Sequence, residues 1–266
     1  MSSSSAARTN LTSNDVRIGN YKLGQGTFRV CLEGTFRGGN RNDQEAACKR
    51  FKPQFRGMES EFFAQDFRNA DKAIEFAEEW NEFCDFGKEI LITKGAIHSS
   101  SSGIRYMVEP LIRYFTKYTS NNGWIGDTSD WEVRYLEAFS HYSYHSSGGT
   151  CIVCDLQGRY KYDRHSRRRC RFELTDIAIC SVWRSYGPTD LGGKGIESFF
   201  ANHKCNEFCK DHWSRPNYPT RWFPSTQSTA MFSSQFDQKL ATSSRTTFRL
   251  GLNNVIEEDS DEDSYW

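Results

Sequence analysis

"FFANHKCNEFCKDHW", residues 199–213, places one histidine and two cysteines within seven positions: His203, Cys205 and Cys209. The chain carries 9 cysteines in all, at Cys31, Cys48, Cys84, Cys151, Cys154, Cys170, Cys180, Cys205 and Cys209. Its start, "MSSSSAARTNLTSND" (1–15), lacks the basic-then-apolar order of a secretory signal. An intracellular, cytoplasmic setting is therefore expected. Thiols stay reduced there, and a close Cys/His set points to metal rather than to a disulfide.

Ile196, Phe199, Phe200 and His203 recur at helical spacing, which predicts a helix from about residue 195. If that helix continued, Cys205 and Cys209, four apart, would share a face. His203 lies two before Cys205, so it joins them only where the helix ends or bends. A structural zinc ion takes four ligands, and these are three. His141, His145, His212 and the pair Cys151 and Cys154 are candidates for the fourth. The pair sits in an apolar strand, where residues three apart point to opposite faces. His141 is the better choice. Ser129 and Glu132 form a capping-box signature for a helix carrying Trp131, Leu136 and Phe139, with His141 near its end.

Working outward, "CDLQG" (154–158) ends an apolar strand in a tight turn. Asp155 and Gln157 are two apart, so on a strand they point to one side. Asp176 follows in "FELTDIAIC" beside a second apolar run. Two carboxylates and an amide are oxygen donors suited to Mg²⁺ and to orienting a hydroxyl. "LGQGTFRV" (23–30) sets a G-x-G between two strand-like halves, a turn whose backbone can close over phosphates. Lys49 follows on the next strand, in "EAACKRFK" (45–52). Taken singly, each has an ordinary structural reading as a turn glycine, a surface lysine or a turn-capping aspartate.

The remaining pattern is mixed. The hairpin 20–36 opens the chain's ordered part. A helix is predicted on Ala70, Ala73, Ile74, Ala77, Trp80 and Cys84, with Gly87 as its stop. Strands are predicted at 89–94, 104–112 and 150–158, and a basic loop at 159–172. The fold class is α+β in two lobes. The 266 residues are 37% hydrophobic with zero formal net charge, so bulk attraction to a polyanion is not expected and nucleic acid is an unlikely class of partner. No run approaches the roughly 20 apolar residues of a membrane span, so no membrane insertion is expected. Residues 1–19 read as a disordered leader. The segment 214–266, ending in "EEDSDED" (257–263), reads as a mostly unstructured tail.

In order, "AFSHYSY" (138–144), "CDLQG" (154–158), "LTDIAI" (174–179), "GPTDLGGKGIESFF" (187–200) and "HKCNEFC" (203–209) resemble the alpha-kinase family of atypical protein kinases. The resemblance covers about residues 20–212. It implies a two-lobed protein-kinase-like fold, with an N-lobe at about 20–110, a C-lobe at about 111–213 and a structural Zn²⁺ in the C-lobe. The zinc ligands it implies are His141, His203, Cys205 and Cys209. Lys49 and Arg29 would bind the phosphates of ATP, and Glu109 would sit at the hinge that holds adenine. Asp155 would be catalytic, and Gln157 and Asp176 would hold Mg²⁺. Asn121 and Asn122 in "KYTSNNG" (117–123) would lie near the cleft. Gly187, Gly192 and Gly195 would mark a substrate loop.

Two departures stand out. Ile177 occupies the place of the family's usual proline, and the basic insertion 161–170 lengthens the segment between Asp155 and Asp176. The activity implied is transfer of the ATP γ-phosphate to a serine or threonine of a protein. The alternative is a catalytically weak or inactive zinc module that binds a nucleotide or a partner.

Overall fold

The computed structural model describes residues 7–9, 15–26, 28–83, 86–162, 170–232 and 255–258. Cys84, the centre of the basic insertion (163–169) and most of the expected tail (233–254 and 259–266) lie outside the described residues. In chain order the strands are β1 (Ala7–Thr9), β2 (Asp15–Gln25), β3 (Arg29–Arg37), β4 (Glu45–Phe51), β5 (Glu89–Lys94), β6 (Ala96–Ser99), β7 (Arg105–Pro110), β8 (Thr116–Lys117), β9 (Cys151–Cys154), β10 (Gln157–Lys161), β11 (Arg171–Thr175), β12 (Ala178–Ser181), β13 (Thr229–Phe232) and β14 (Val255–Glu258). The helices are α1 (Glu59–Phe83), α2 (Trp131–Ser146) and α3 (Gly193–Asn202).

The chain divides into two compact units. Of the described residues, the first takes those up to Thr116 together with Gly158–Asp176; the second takes Lys117–Gln157 and those from Ile177 to Glu258. The expected lobe boundary near 110 therefore lies at Thr116, and the lobes are not contiguous in sequence. The reason is β10 and β11, which complete a sheet of the first unit.

That unit holds an antiparallel sheet in the order β2-β3-β4-β7-β6. The predicted hairpin is β2 with β3. β2 begins at Asp15, so residues 15–19 of the expected leader are strand instead. Val16 opposes Phe36 there and joins a core of Ala46, Cys48, Tyr106 and Val108. A second sheet runs β1-β5-β11-β10, with β5 parallel to both β1 and β11. Ile90, Leu91 and Ile92 are buried in succession, as a strand covered on both faces requires. Helix α1 packs on β5 and buries Phe62, Phe63, Ala73, Phe76, Ala77 and Trp80, the first two against Phe51 of β4. Three of these, Ala73, Ala77 and Trp80, are in the predicted stripe, while Ala70 and Ile74 are only half-buried. The Asn81 side chain holds both backbone groups of Ile90, at 2.9 and 2.8 Å, fixing the helix end to β5.

In the second unit α2 is capped by Asp130, not by Ser129. The Asp130 carboxylate accepts from the Glu132 amide at 2.9 Å. A carboxylate also offsets the positive end of the helix dipole, which a serine does not. The antiparallel pair β9/β12 packs against α3 in a core of Ile152, Cys154, Ala178, Cys180, Leu191, Ile196, Phe199 and Phe200, joined by Phe223 and Ala230. The last two come from the expected unstructured tail. Residues 214–232 are ordered instead, because Phe223, Ala230 and Met231 are buried among a Pro- and Ser-rich composition that hides them.

Candidate active site and metal centre

Helix α3 ends at Asn202, and His203 is its extended C-cap with φ −67° and ψ 130°. Cys205 and Cys209 therefore sit in a turn rather than on a helical face. That break is what lets His203 join them. His141 arrives from α2, five residues before that helix ends at Ser146 rather than near its last turn. The ligand atoms of His141, His203, Cys205 and Cys209 all lie within 4.8 Å of one another. His203 Nε2 is 3.2 Å from His141 Nδ1, Cys205 Sγ is 3.7 Å from that same nitrogen, and Cys209 Sγ is 3.8 Å from His203 Nε2.

Zinc bonds of about 2.05 Å to nitrogen and about 2.3 Å to sulfur, set tetrahedrally, imply edges of roughly 3.3 Å for N···N and roughly 3.6 Å for N···S. The cluster matches both. The outer nitrogens are also occupied as metal-binding histidines require: His203 Nδ1 meets Glu137 Oε1 at 2.5 Å, and His141 Nε2 meets the Ser214 carbonyl at 3.1 Å. Each ring is thereby oriented with its remaining nitrogen toward the two sulfurs. Burial holds His141 down to about 4, the neutral form a ligand needs. The donor set and its geometry are consistent with a zinc site. His145 and His212 face each other with ring centres 5.6 Å apart and stand outside the cluster, as do Cys151 and Cys154.

Glu137 was not legible as part of this site. A Glu one turn before His141 on an amphipathic helix reads as a solvated residue, yet it is 2% exposed. Glu137→Gln is expected to weaken zinc affinity about tenfold or more while leaving all four ligands in place, measured by competition with a chromogenic chelator.

Within the first unit, Lys49 on β4 lies between two carboxylates, its side chain 12% exposed. Its ammonium is 2.5 Å from Glu109 Oε1 and 2.6 Å from both carboxylate oxygens of Asp176. Burial alone would lower the Lys49 ammonium, but Asp176 and Glu109 outweigh it and hold it above its ordinary value. Burial likewise pushes Glu109 up, opposed by Lys49. Thr175 donates to Glu109 at 2.9 Å. Glu109 thus lies inside β7, opposite Ala47 of β4, with its side chain on Lys49.

The Arg29 guanidinium pairs with Asp66 of α1 at 2.8 Å and lies over the Phe51 ring at 4.7 Å. Sequence spacing gave no sign of this partner, because Asp66 is contributed by a helix 37 residues further on.

In the second unit, Asp155 follows the end of β9 with a left-handed backbone, φ 60°; in the first, Asp176, just after β11, has φ 52°. The two-residue alternation expected for Asp155 and Gln157 does not apply, since Asp155 and Leu156 lie between strands. The side chains still meet: Gln157 Nε2 is 3.4 Å from Asp155 Oδ2. The Asp155 carboxylate also meets Lys117 Nζ at 3.0 Å and the Thr229 hydroxyl at 2.8 Å. Neither partner stood out in the sequence. Gly158, next in "CDLQG", has φ 147°, and a Cβ there would fall 2.0 Å from the Glu173 carbonyl, so only glycine fits.

Asn121 and Asn122 are buried and bind backbone. Asn121 brackets Ala230 and reaches the Thr189 carbonyl, while Asn122 holds Thr226 and Ser228. Gly187 and Gly192 turn left-handed in the glycine-rich loop. Gly195 instead belongs to α3, where a Cβ would come within 2.6 Å of Cys180 Sγ. The loop is braced by Asp190, whose carboxylate accepts from Ser181, Tyr186 and Gly192.

The alpha-kinase family pattern matches residues 24–209. Alpha-protein kinase vwkA of Dictyostelium discoideum is 39% identical over 97 residues, 36% of this chain and 14% of that protein. The chain therefore spans only a small part of that relative. Among solved structures, an alpha kinase from Entamoeba histolytica superposes with a TM-score of 0.60 at 22% identity, covering 79% of this chain and 82% of its own. The alpha-kinase domain of myosin heavy chain kinase A, solved as a complex with ADP, gives 0.57 at 21% identity over 73% of this chain and 86% of its own. With its family pattern running from the β2–β3 hairpin to the last ligand of the His/Cys cluster, this chain belongs to the alpha-kinase family.

Proposed function

We propose that the chain is an ATP-dependent serine/threonine protein kinase that transfers the γ-phosphate of ATP to a protein hydroxyl. The observation that carries the reading is Lys49. A largely buried ammonium is costly to keep, and here the carboxylates of Glu109 on β7 and of Asp176 just after β11 hold it charged. A fixed cation of that kind is what a phosphate chain requires, and the reading is supported by the alpha-kinase domain of myosin heavy chain kinase A, which was solved as a complex with ADP.

The roles proposed for the residues are those the family resemblance implies, and the chemistry of each is compatible with its role. Lys49 would meet the phosphates, and Arg29 would do so on leaving Asp66. Glu109 holds Lys49. Asp155 would accept the proton of the acceptor hydroxyl, and its left-handed backbone is the kind of local strain found at functional sites. Gln157 and Asp176 supply oxygen donors of the kind Mg²⁺ takes, and that ion would neutralise phosphate charge during transfer. Zinc at His141, His203, Cys205 and Cys209 would be structural, tying α2 to the segment that follows α3.

Lys49→Met tests the reading. It leaves the buried Glu109 without its cation, so stability is expected to fall by about 3 kcal/mol. Adding Glu109→Gln should restore most of the melting temperature, because the orphaned carboxylate is then gone. Phosphate transfer to a generic basic protein should stay lost in both variants. Restored transfer in the double variant would show that Lys49 serves the fold alone, whereas no transfer by the folded wild type would favour the non-catalytic binding module.

A further inference from the structure

We propose that Thr229, from the segment downstream of the zinc cluster, is a positioning residue for Asp155, so that the 223–232 stretch is a working part of the catalytic unit. The inference rests on the kinase reading above. Its basis is a closed ring of three side chains, all in the second unit. Thr229 Oγ1 donates to Asp155 Oδ2 at 2.8 Å. Lys117 Nζ donates to Thr229 Oγ1 at 2.8 Å and lies 3.0 Å from Asp155 Oδ1. All three groups are nearly inaccessible: the side chains of Lys117 and Asp155 are 12% and 4% exposed, and Thr229 is 7% exposed.

The ring fixes the carboxylate plane, with the Gln157 amide 3.4 Å from the same oxygen that Thr229 meets. During transfer the acceptor oxygen forms its bond to the γ-phosphorus and the bond from that phosphorus to the bridging oxygen breaks. ADP departs, and the acceptor's proton passes to Asp155. That last step depends on the orientation the ring imposes.

Thr229 is delivered by a dedicated clamp rather than by chance. Asn121 holds the amide and the carbonyl of the neighbouring Ala230, at 2.8 and 2.7 Å. Asn122 holds the Thr226 hydroxyl and the Ser228 carbonyl, both at 2.9 Å. Two buried asparagines adjacent in "KYTSNNG" are thus spent on placing the strand that presents Thr229, and Lys117 of the same motif completes the ring.

The test compares Thr229→Val, which keeps the shape and removes the hydroxyl, with Thr229→Ser, which keeps the donor. The valine variant is expected to lower kcat roughly tenfold or more with little change in KM for ATP. The serine variant should retain most of the activity. A valine variant with unchanged kcat, or a serine variant as impaired as valine, overturns the role. If the wild type transfers no phosphate, the kinase reading falls. Crystal structures of the wild type and of Thr229→Val then decide separately: a rotated Asp155 carboxylate in the variant supports the ring, and an unchanged one overturns it.

Discussion

Asp155→Ala is expected to reduce phosphate transfer by about a thousandfold or more while the protein keeps its fold and its zinc content. A positioned general base contributes on the order of 10²–10⁴ in rate. The loss goes further here because Asp155 also anchors Lys117 and Thr229. Alanine leaves the largely buried Lys117 without its carboxylate, so Asp155→Asn is the companion variant that preserves shape. Both should be inactive, with asparagine the closer to wild type in melting temperature. Near-normal turnover in either variant removes Asp155 from the chemistry.

His203→Ala is the second large effect, and it acts on stability. The imidazole is buried, carries Glu137 on one nitrogen and faces His141 and Cys209 with the other. Removing it deletes one of four zinc ligands and strands a buried carboxylate. Binding energy at a structural zinc site is folding energy. A loss of at least about 3 kcal/mol is expected, with substoichiometric zinc by elemental analysis and poor soluble yield. Wild-type protein treated with a strong chelator should approach the same melting behaviour. Full zinc occupancy and unchanged melting in His203→Ala would contradict a structural metal at this cluster.

Local chemistry was the legible part. The H-x-C-x-x-x-C spacing named three of the clustered residues, and the choice of His141 over Cys151 and Cys154 followed from strand geometry. The β2–β3 hairpin, β5, β7 and α2 were also readable, because alternation and helical spacing are properties of neighbours in sequence.

What was hidden depends on distant chain segments. Asp66 against Arg29, Glu137 against His203 and Thr229 against Asp155 are pairings between residues 37, 66 and 74 positions apart. Each partner is a common polar residue with no local pattern. The order of 214–232 was hidden for a related reason. Its prolines and serines read as solvated chain, while its retention comes from a few apolar contacts and from Asn121 and Asn122 far upstream. The wrong helical placement of Cys205 and Cys209 came from extending α3 past His203, where the backbone in fact turns extended.

The most direct test of the account is to incubate the purified wild-type chain with γ-labelled ATP, Mg²⁺ and a generic basic protein, then identify the labelled amino acid. The account predicts phosphoserine or phosphothreonine on the acceptor, formed by protein that carries one zinc per chain. Zinc-loaded, folded protein that leaves the acceptor unlabelled would contradict it.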